Sequence, residues 1–332
     1  MKKKISLIIG SGQIGSRHLQ GILKSTFNQI IYVYDTLKSS LTSCKLRELE
    51  VNHNNEVIYL QNWSELPNFF DLVIISTTAN VRYNLLKRVI NDFSFKNIIL
   101  EKVLFQSPYE YVKALELISN NQQSQYWINL PRRQSVFYKN LKKRFVENNS
   151  IISVNIHAED LGLACNSIHF IDLISFLTSS SLKSIDTSFL EEKIINSKRE
   201  NFIEFYGAIN AKFNNDVLLK LISSKKKTSI NRTIFIAISS LKENIFISEG
   251  ECVNPFAIFQ DKNNPEKITF SSFKVKYQSE ISGDIANDLF KDNKCDLPVY
   301  SDSYYDHKIF IESLLEKYNT IKSTKELLLP IT

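Results

Sequence analysis

The sequence predicts an α/β protein of two domains, and three features of the chain support this prediction. Apolar, strand-like runs alternate with helix-like segments up to about Asn121, which indicates a doubly wound parallel sheet. The polar run over residues 120–125 is the best candidate for a domain boundary. From about residue 178 to about residue 277, long segments alternate apolar and polar side chains, which is typical of an open, mainly antiparallel sheet.

We therefore predict a first domain over residues 1–124 and a second, α/β domain over residues 125–332 that contains the large open sheet. A final amphipathic helix is predicted over residues 302–318. The sequence leaves open whether this helix packs back on the first domain.

The first domain begins with a strand that runs into a glycine-rich turn. Residues 5–9 are mostly apolar, and Gly10, Gly12 and Gly15 follow with the spacing GxGxxG before a helix-like segment. In a dinucleotide-binding, or Rossmann, fold the first glycine permits a tight turn, the second lets the backbone approach a pyrophosphate, and the third lets the helix pack closely on the strand. The free N–H groups at the N-terminus of that helix suit phosphate. The pattern therefore predicts a Rossmann domain that binds a dinucleotide.

An acidic residue stands where such a fold contacts the ribose of the cofactor. Asp35 ends the second strand-like run and lies 20 residues beyond Gly15. A carboxylate there accepts hydrogen bonds from ribose hydroxyls and repels a 2′-phosphate, which favours NAD over NADP. Because Lys38 lies close by in sequence, NADP remains the alternative cofactor.

Polar residues also follow the next two strand-like runs, and ligands bind at such strand ends in parallel sheets. Thr77 and Thr78 end one run, and Asn80 either faces the cofactor or caps the helix predicted over residues 81–92. Glu101 and Lys102 end the other run. These residues are candidates for the edge of the sheet at which a cofactor lies.

Composition and charge argue against several classes of protein. The net charge of +6 is modest for 332 residues and the basic residues are dispersed, so we expect no nucleic-acid partner. No apolar run reaches the length of a membrane span, so we expect no membrane association. The cysteines lie far apart without a CxxC pair, which argues against a metal site and a secreted disulfide scaffold. We therefore expect a cytoplasmic protein without a bound metal.

Four runs of residues together resemble the Gfo/Idh/MocA family, which includes glucose–fructose oxidoreductase and inositol dehydrogenase. They are the glycine motif extended through Arg17 and His18, the pair Glu101 and Lys102, residues 129–133 and residues 162–172. The resemblance covers nearly the full length. It implies an N-terminal Rossmann domain that holds NAD or NADP and a C-terminal domain that covers the nicotinamide and contacts the substrate. Most members oxidise or reduce a sugar, inositol or sugar nucleotide, so this reaction class is implied here.

The resemblance assigns a catalytic role to Lys102, which matches the lysine of the family's Glu-Lys-Pro motif. An ammonium beside the reacting carbinol can hold its oxygen and stabilise developing negative charge. Glu101 would then orient Lys102 or satisfy nearby backbone groups. Val103 replaces the motif's proline, so we expect the peptide between Lys102 and Val103 to lose any cis preference. The residues predicted to contact the cofactor are Gly10, Gly12, Gln13, Ile14, Gly15, Asp35, Thr77, Thr78, Asn80, Glu101 and Lys102.

The second catalytic residue implied by the resemblance is His169, which matches the histidine of the family's Asp-x-x-x-His motif. An imidazole there serves as a general base or a substrate ligand. The expected aspartate is Cys165 in this chain, so Asn166 or Asp172 would have to fix the tautomer of His169. Three outcomes stay open: a relay with altered partners, substrate binding without acid–base work, or a degenerate site.

The implied substrate contacts also include Asn129, Arg132 and Arg133, which follow the predicted domain boundary. A guanidinium suits a phosphate or carboxylate, and we expect at most one of the two arginines to contact substrate while the other forms an ion pair. The full predicted substrate set is Asn129, Arg132, Arg133, Cys165, Asn166 and His169.

These observations predict an NAD(P)-dependent sugar dehydrogenase or reductase. The resemblance points to a nucleotide-linked or acidic sugar of bacterial surface glycan biosynthesis. The alternative is a catalytically degenerate, NAD(P)-binding regulatory or scaffold protein. Since wide open sheets often support symmetric assembly, a homodimer or homotetramer is expected.

Overall fold

The computed structural model describes residues 3–146, 150–226, 233–250 and 254–332, so Cys252 lies outside the described residues. The strands in chain order are β1 (Lys4–Ile9), β2 (Gln29–Tyr34), β3 (Glu56–Leu60), β4 (Phe69–Ile75), β5 (Ser94–Leu100), β6 (Gln125–Ile128), β7 (Ile151–Glu159), β8 (Leu182–Asp186), β9 (Ile195–Asn196), β10 (Ile203–Glu204), β11 (Gly207–Phe213), β12 (Leu218–Ser224), β13 (Thr233–Ser240), β14 (Glu243–Gly250), β15 (Phe256–Asp261) and β16 (Ile268–Ser272). The α-helices are α1 (Gln13–Ile22), α2 (Lys38–Glu48), α3 (Ala79–Asp92), α4 (Pro108–Ser119), α5 (Val136–Val146), α6 (Leu163–Thr178), α7 (Gln278–Asp292) and α8 (Tyr300–Lys322).

The chain divides into two compact units whose limits differ from the predicted boundary after residue 124. Unit 1 comprises Met1–Phe105, Tyr109–Pro131 and Lys276–Ser303. Unit 2 comprises Gln106–Pro108, Arg132–Val275 and Tyr304–Thr332. Strand β6 falls in unit 1 because it pairs with β5, and α7 returns to unit 1 late in the chain. The final helix, α8, belongs to unit 2 from Tyr304 onward.

Unit 1 contains a six-stranded sheet in the order β3-β2-β1-β4-β5-β6, and its strand pairs are parallel. Because β1 lies between β2 and β4, the strand order reverses beside it, which creates the crevice where such sheets bind ligands. The second half of β1 and nearly all of β4 are buried, as their mostly apolar sequences require for strands covered on both faces. The predicted Rossmann architecture is confirmed.

Helix α7 was not predicted from the sequence. Tyr277 and Glu280 form a capping box at its N-terminus. Its apolar face packs on α1 in the core of unit 1. The two helices cross at glycines, since a methyl group on Gly283 would lie 2.5 Å from the carbonyl oxygen of Gly21. This close crossing brings polar side chains of α7 within hydrogen-bond distance of polar side chains of α1.

Unit 2 contains an eight-stranded sheet in the order β16-β15-β14-β13-β7-β12-β11-β8. Its neighbours are antiparallel except β12 and β7, which are parallel, so the predicted mainly antiparallel sheet is confirmed. Helix α6 packs against β11 and β12, and α5 packs against α6. Side chains along β13 alternate between buried and partly or fully exposed positions. Phe235 on β13, Phe246 on β14 and Phe270 on β16 are exposed in this sheet.

A helix that crosses a membrane must be long and predominantly apolar. Among the residues that the structure describes, no helix combines the necessary length with the necessary apolar character.

Candidate functional site

The glycine turn after β1 is shaped by close packing at two of its three glycines. Gly10 has a φ of +91°, and a methyl group there would lie 2.8 Å from the Cγ2 atom of Thr77. At Gly15 a methyl group would lie 1.8 Å from the carbonyl oxygen of Gly10. At Gly12, by contrast, it would meet no described atom within 4 Å. The turn is therefore tight on its inner side and open above the N-terminus of α1.

Asp35 lies beside this turn and is held by hydrogen bonds. Its Oδ2 atom accepts from the Ser11 backbone N–H at 2.7 Å and from the Ser11 hydroxyl at 3.0 Å. Its Oδ1 atom accepts from the Leu37 N–H at 2.9 Å. Each carboxylate oxygen has further lone pairs, so a pre-oriented Asp35 can still accept from ribose hydroxyls.

The first turn of α1 is held by a residue that the sequence analysis did not single out. Arg47 of α2 donates to the backbone oxygen of Gln13 at 3.2 Å and to its side-chain oxygen at 2.6 Å. Gln13 is exposed and Ile14 is partly exposed beside the open side of the turn. Arg47 lies on a polar helix, and nothing in the sequence distinguishes an arginine that makes this contact from one that is simply solvated.

Thr77, just after the end of β4, lies beside Gly10. We call the glycine turn, Asp35 and Thr77 together the cradle. The Thr77 hydroxyl oxygen is buried and has no hydrogen-bond partner among the described residues. Thr78 is the N-cap of α3, so Asn80 is not the cap that the sequence analysis allowed for. Asn80 lies one residue inside the helix and is exposed, because the helix begins at Ala79. An unsatisfied hydroxyl, a helix N-terminus and the open space at Gly12 fit a dinucleotide pyrophosphate.

Glu101, predicted to contact the cofactor, and Asn129, predicted to contact the substrate, are buried together inside unit 1. Glu101 accepts a hydrogen bond from the Asn129 amide, and the Nε2 atom of His18 lies 2.9 Å from the same carboxylate oxygen. Burial by itself raises the pKa of Glu101, but its hydrogen bonds with His18 and Asn129 and the positive charge nearby outweigh burial and lower the pKa. Glu101 is therefore held as a carboxylate. The position of His18 in the extended glycine motif was its only sequence signal.

Lys102 follows β5 and is partly exposed. The peptide between Lys102 and Val103 is cis, so the expectation that loss of the proline removes this conformation is wrong. The next two carbonyl oxygens, of Val103 and Leu104, accept hydrogen bonds from the fully buried guanidinium of Arg82, the latter at 2.9 Å. Arg82 also donates to the carbonyl of Thr77, so one side chain ties the end of β4 to the segment after Lys102.

In unit 2, the predicted residues of α6 share one side of the helix. Cys165, Asn166 and His169 are partly exposed, while most of the surrounding helix is buried, as their spacing predicts. Glu204 of β10 accepts from the backbone N–H of Ala164 at 2.8 Å and of Cys165 at 3.0 Å. The first turn of α6 therefore meets a carboxylate from a distant strand, although position 165 itself carries none.

The two residues proposed to orient His169 have other partners. Asn166 donates to the Leu161 carbonyl at 2.6 Å. Both oxygens of Asp172 accept hydrogen bonds from Arg133, at 2.6 to 3.0 Å. Burial raises the pKa of Asp172 to about 6, in spite of the opposing effect of Arg133.

Both arginines of the predicted substrate set form ion pairs within unit 2, whereas the prediction gave this role to only one of them. Arg133 binds the buried Asp172, and Arg132 pairs with the buried Glu249. The Tyr138 hydroxyl donates to the other oxygen of Glu249 at 3.2 Å. Neither guanidinium is therefore a free anion-binding group in this structure, since each already neutralises a carboxylate.

The structure thus gathers the glycine turn, Asp35, Thr77 and Lys102 on the crevice side of one sheet in unit 1. It gathers Cys165, Asn166 and His169 on one helix in unit 2. Glu101, Asn129, Arg132 and Arg133 are instead engaged by protein partners.

Comparison with known proteins supports the assignment of the first part of the chain. Residues 5–129 match the family described as "Oxidoreductase family, NAD-binding Rossmann fold". No curated protein matches the sequence.

Solved structures match over nearly the whole chain. An oxidoreductase from Agrobacterium radiobacter in complex with NAD+, L-tartaric acid and magnesium is 12% identical, with 97% of this chain and 99% of that chain covered and a TM-score of 0.72. GenD2 from gentamicin A biosynthesis, in complex with NAD, is 11% identical, with 97% and 95% covered and a TM-score of 0.69. The transcriptional regulator Gal80p from Kluyveromyces lactis is 14% identical, with 96% and 93% covered and a TM-score of 0.69.

At these identities the structural likeness shows a shared fold, whereas the family match concerns the sequence itself. The matched segment begins in β1 and ends just after β6, and it contains the glycine turn, Asp35, Thr77 and Lys102. Over residues 5–129 the chain therefore matches the Gfo/Idh/MocA oxidoreductase family model and carries its NAD-binding Rossmann fold.

Proposed function

We propose that this protein is an NAD(P)-dependent oxidoreductase that transfers a hydride between the nicotinamide C4 atom and a carbinol or keto carbon of a sugar. One observation carries the proposal. The glycine turn follows β1, Thr77 follows β4 and Lys102 follows β5, and these three strands are neighbours in a parallel sheet. A cationic side chain therefore lies on the same sheet edge as the nucleotide cradle, which is where such folds bind their ligands.

The cofactor would be held by groups that the structure already orients. The N-terminus of α1 and the open side of Gly12 suit the pyrophosphate, and Asp35 suits the adenosine ribose. When bound, the nicotinamide supplies the hydride acceptor or donor.

Lys102 and His169 are the residues that we propose for the chemistry. The ammonium of Lys102 holds the substrate oxygen and stabilises negative charge as it develops there. His169 accepts the hydroxyl proton during oxidation and returns it during reduction. Arg82 holds the carbonyls that follow Lys102, which limits the conformations open to that segment.

The proposal of a nucleotide-linked or acidic sugar rests on the resemblance in sequence. Because Arg132 and Arg133 each hold a buried carboxylate, an anionic group would have to compete with Glu249 or Asp172 for them. Neutral sugars and polyols therefore belong in the same substrate panel. A role in surface glycan synthesis and a cytoplasmic location remain predictions.

We also propose that the protein assembles as a homo-oligomer through the open sheet of unit 2. Phe246 pairs with Ala237 on one side and Ile258 on the other, and Ile258 pairs with Phe270. These residues form an apolar row across four strands, with exposed phenylalanines at two positions. Exposed patches of this kind are typical of protein interfaces.

The activity is tested by mixing the protein with NAD+ or NADH and a panel of nucleotide-linked, acidic, neutral and amino sugars, and following NADH absorbance. We expect turnover with at least one sugar. Lys102→Ala should abolish it while the affinity for NADH, measured by fluorescence titration, stays within about twofold. Lys87→Ala, an exposed lysine of α3, is the matched control and should leave both quantities unchanged.

The second candidate function is a cofactor-binding regulatory or scaffold protein. Cys165 replaces the acid of the family motif, and a transcriptional regulator shares the fold. Binding of NADH without turnover of any sugar would favour this candidate. Absence of affinity for NAD and NADP in both oxidation states would refute both candidates.

A further inference from the structure

Five polar side chains of unit 1 form a closed ring of hydrogen bonds beneath the surface. They come from α1, from the ends of β5 and β6, and from α7, and they are His18, Glu101, Asn129, Gln278 and Ser282. His18 is 1% exposed, Glu101 4%, and Asn129 and Ser282 3% each. At this degree of burial polar atoms normally need partners within the protein, although the Asn129 Oδ1 atom has none among the described residues.

The ring closes through short contacts. The two ring nitrogens of His18 lie 2.9 Å from the hydroxyl of Ser282, on Nδ1, and 2.9 Å from Glu101, on Nε2. Gln278 donates from Nε2 to the Ser282 hydroxyl oxygen at 2.8 Å. Asn129 donates to the side-chain oxygen of Gln278 at 3.0 Å and to Glu101. Every member therefore contacts two others.

With a neutral His18, the chemistry of the donors gives this ring one consistent set of proton positions. Glu101 is a carboxylate and accepts only, so Nε2 of His18 carries a proton and donates to it. Asn129 uses its two amide hydrogens for Glu101 and Gln278. Because the Ser282 oxygen accepts from Gln278, its own hydrogen is available to Nδ1 of His18, which then accepts.

We propose that Ser282 and Gln278 of α7 are positioning residues, which hold His18 in the Nε2–H tautomer and thereby fix the Glu101 carboxylate that immediately precedes Lys102. The role assigned to Lys102 rests on the proposed function, whereas the proton positions rest on the ring alone. Orienting groups of this type commonly set the tautomer of a histidine and the direction of its bonds. The segment that supplies them lies 264 residues from His18 in the chain.

The alternative is that the ring merely satisfies buried polar groups. A structural role would tolerate either protonation state of His18, provided that each contact were kept. The positioning role requires Glu101 to stay ionised and Nδ1 to stay an acceptor. The charged and polar groups around Glu101 are His18 from α1, Asn129 after β6 and Arg82 from α3.

The first experiment reads the ring without cofactor or substrate. Long-range ¹H–¹⁵N spectra of the full chain report which imidazole nitrogens carry protons, and His18→Gln assigns the His18 signals. We expect a protonated Nε2 and an unprotonated Nδ1. In Gln278→Glu, the amide donor to Ser282 is replaced by an acceptor, so the Ser282 hydrogen turns toward residue 278 and Nδ1 must carry a proton. Both nitrogens of His18 should then be protonated.

A wild-type His18 with Nδ1 protonated, or an unchanged His18 in Gln278→Glu, would overturn the assignment of the proton positions.

The second experiment tests whether the ring positions a catalytic group. Ser282→Ala should lower kcat for the sugar that shows turnover by about tenfold or more, with the KM for NADH within about twofold, because a displaced catalytic group slows the chemical step. Ser279→Ala, the same change on the same helix without a ring contact, should have no effect.

If the kcat of Ser282→Ala stays within twofold of the wild-type kcat, the positioning role is wrong even where the spectra support the assigned proton positions. If Ser282→Ala does not fold, as shown by its circular dichroism, the kcat of Gln278→Glu takes its place with the same expectation. If the wild-type protein turns over no sugar, the proposed function fails and the catalytic part of this inference fails with it. The spectra decide the proton positions in that case as well.

Discussion

The glycine turn yields a sharp prediction, because two of its glycines have opposite surroundings. In Gly15→Ala the new methyl carbon would lie 1.8 Å from the carbonyl oxygen of Gly10 and 2.6 Å from the Ser76 hydroxyl oxygen. Carbon and oxygen normally approach to about 3.4 Å, so α1 must move away from β1 by roughly 1.5 Å. In Gly12→Ala the methyl group would meet no described atom within 4 Å, and the φ of −65° suits alanine.

The magnitudes follow from these contacts. Overpacking costs about 1–3 kcal/mol, and a clash with backbone places Gly15→Ala at about 3 kcal/mol or more. At about 2–4 °C per kcal/mol for a unit of this size, its Tm should fall by about 6–12 °C. Gly12→Ala loses only the small advantage of glycine over alanine at an N-cap, about 1 kcal/mol at most. Its affinity for NADH should nevertheless fall at least tenfold, or about 1.4 kcal/mol, because the methyl group fills the space that a pyrophosphate approaches.

The assays are thermal unfolding followed by circular dichroism and titration of NADH fluorescence. The two variants serve as controls for each other, since one changes stability and the other changes binding. Wild-type NADH affinity in Gly12→Ala would show that the pyrophosphate does not approach this turn. A wild-type Tm in Gly15→Ala would refute the packing argument.

Three further predictions concern the cofactor, pH and assembly. Asp35→Asn should reduce the preference for NADH over NADPH by about tenfold in fluorescence titrations, since the repulsion of a 2′-phosphate is lost; an unchanged preference would contradict the role of Asp35. Because burial raises the pKa of Asp172 to about 6, its stabilising contribution is complete below pH of about 4 and is lost as the pH rises through 6, by about 3 kcal/mol. Urea unfolding should show this loss between pH 4 and 7 in the wild type and a smaller one in Asp172→Asn; equal slopes would remove Asp172 as the cause. Phe246→Asp should shift the oligomer toward monomer in light scattering, and a monomeric wild type would refute assembly through the open sheet.

Much of unit 1 could be predicted because its signals are local. Strand β1 covers the mostly apolar residues 5–9 that the sequence placed before the glycine turn, and β2 ends immediately before Asp35. Helix α3 begins two residues earlier than predicted, at Ala79, with Thr78 rather than Asn80 in the N-cap position. Strand β6 lies beyond the predicted boundary after residue 124 but belongs to unit 1, since pairing with β5 rather than sequence position decides its place.

The candidate site likewise contains residues that the sequence predicted and contacts that it did not. Gly10, Gly12, Gly15 and Asp35 were predicted from spacing, and the structure places them around one turn. The partners of Arg132 and Arg133 could not be predicted, because an arginine near a strand end suits a ligand and a buried carboxylate equally well.

What the sequence by itself determined is the dinucleotide cradle, because a strand, a glycine turn and a helix depend on φ angles and apolar spacing within about fifteen residues. What only the tertiary structure decided is which distant groups meet behind it. Helix α7 reaches α1 through Gly21 and Gly283, and Glu204 reaches the first turn of α6. Such contacts depend on packing between segments far apart in the chain, and no local pattern specifies their partners.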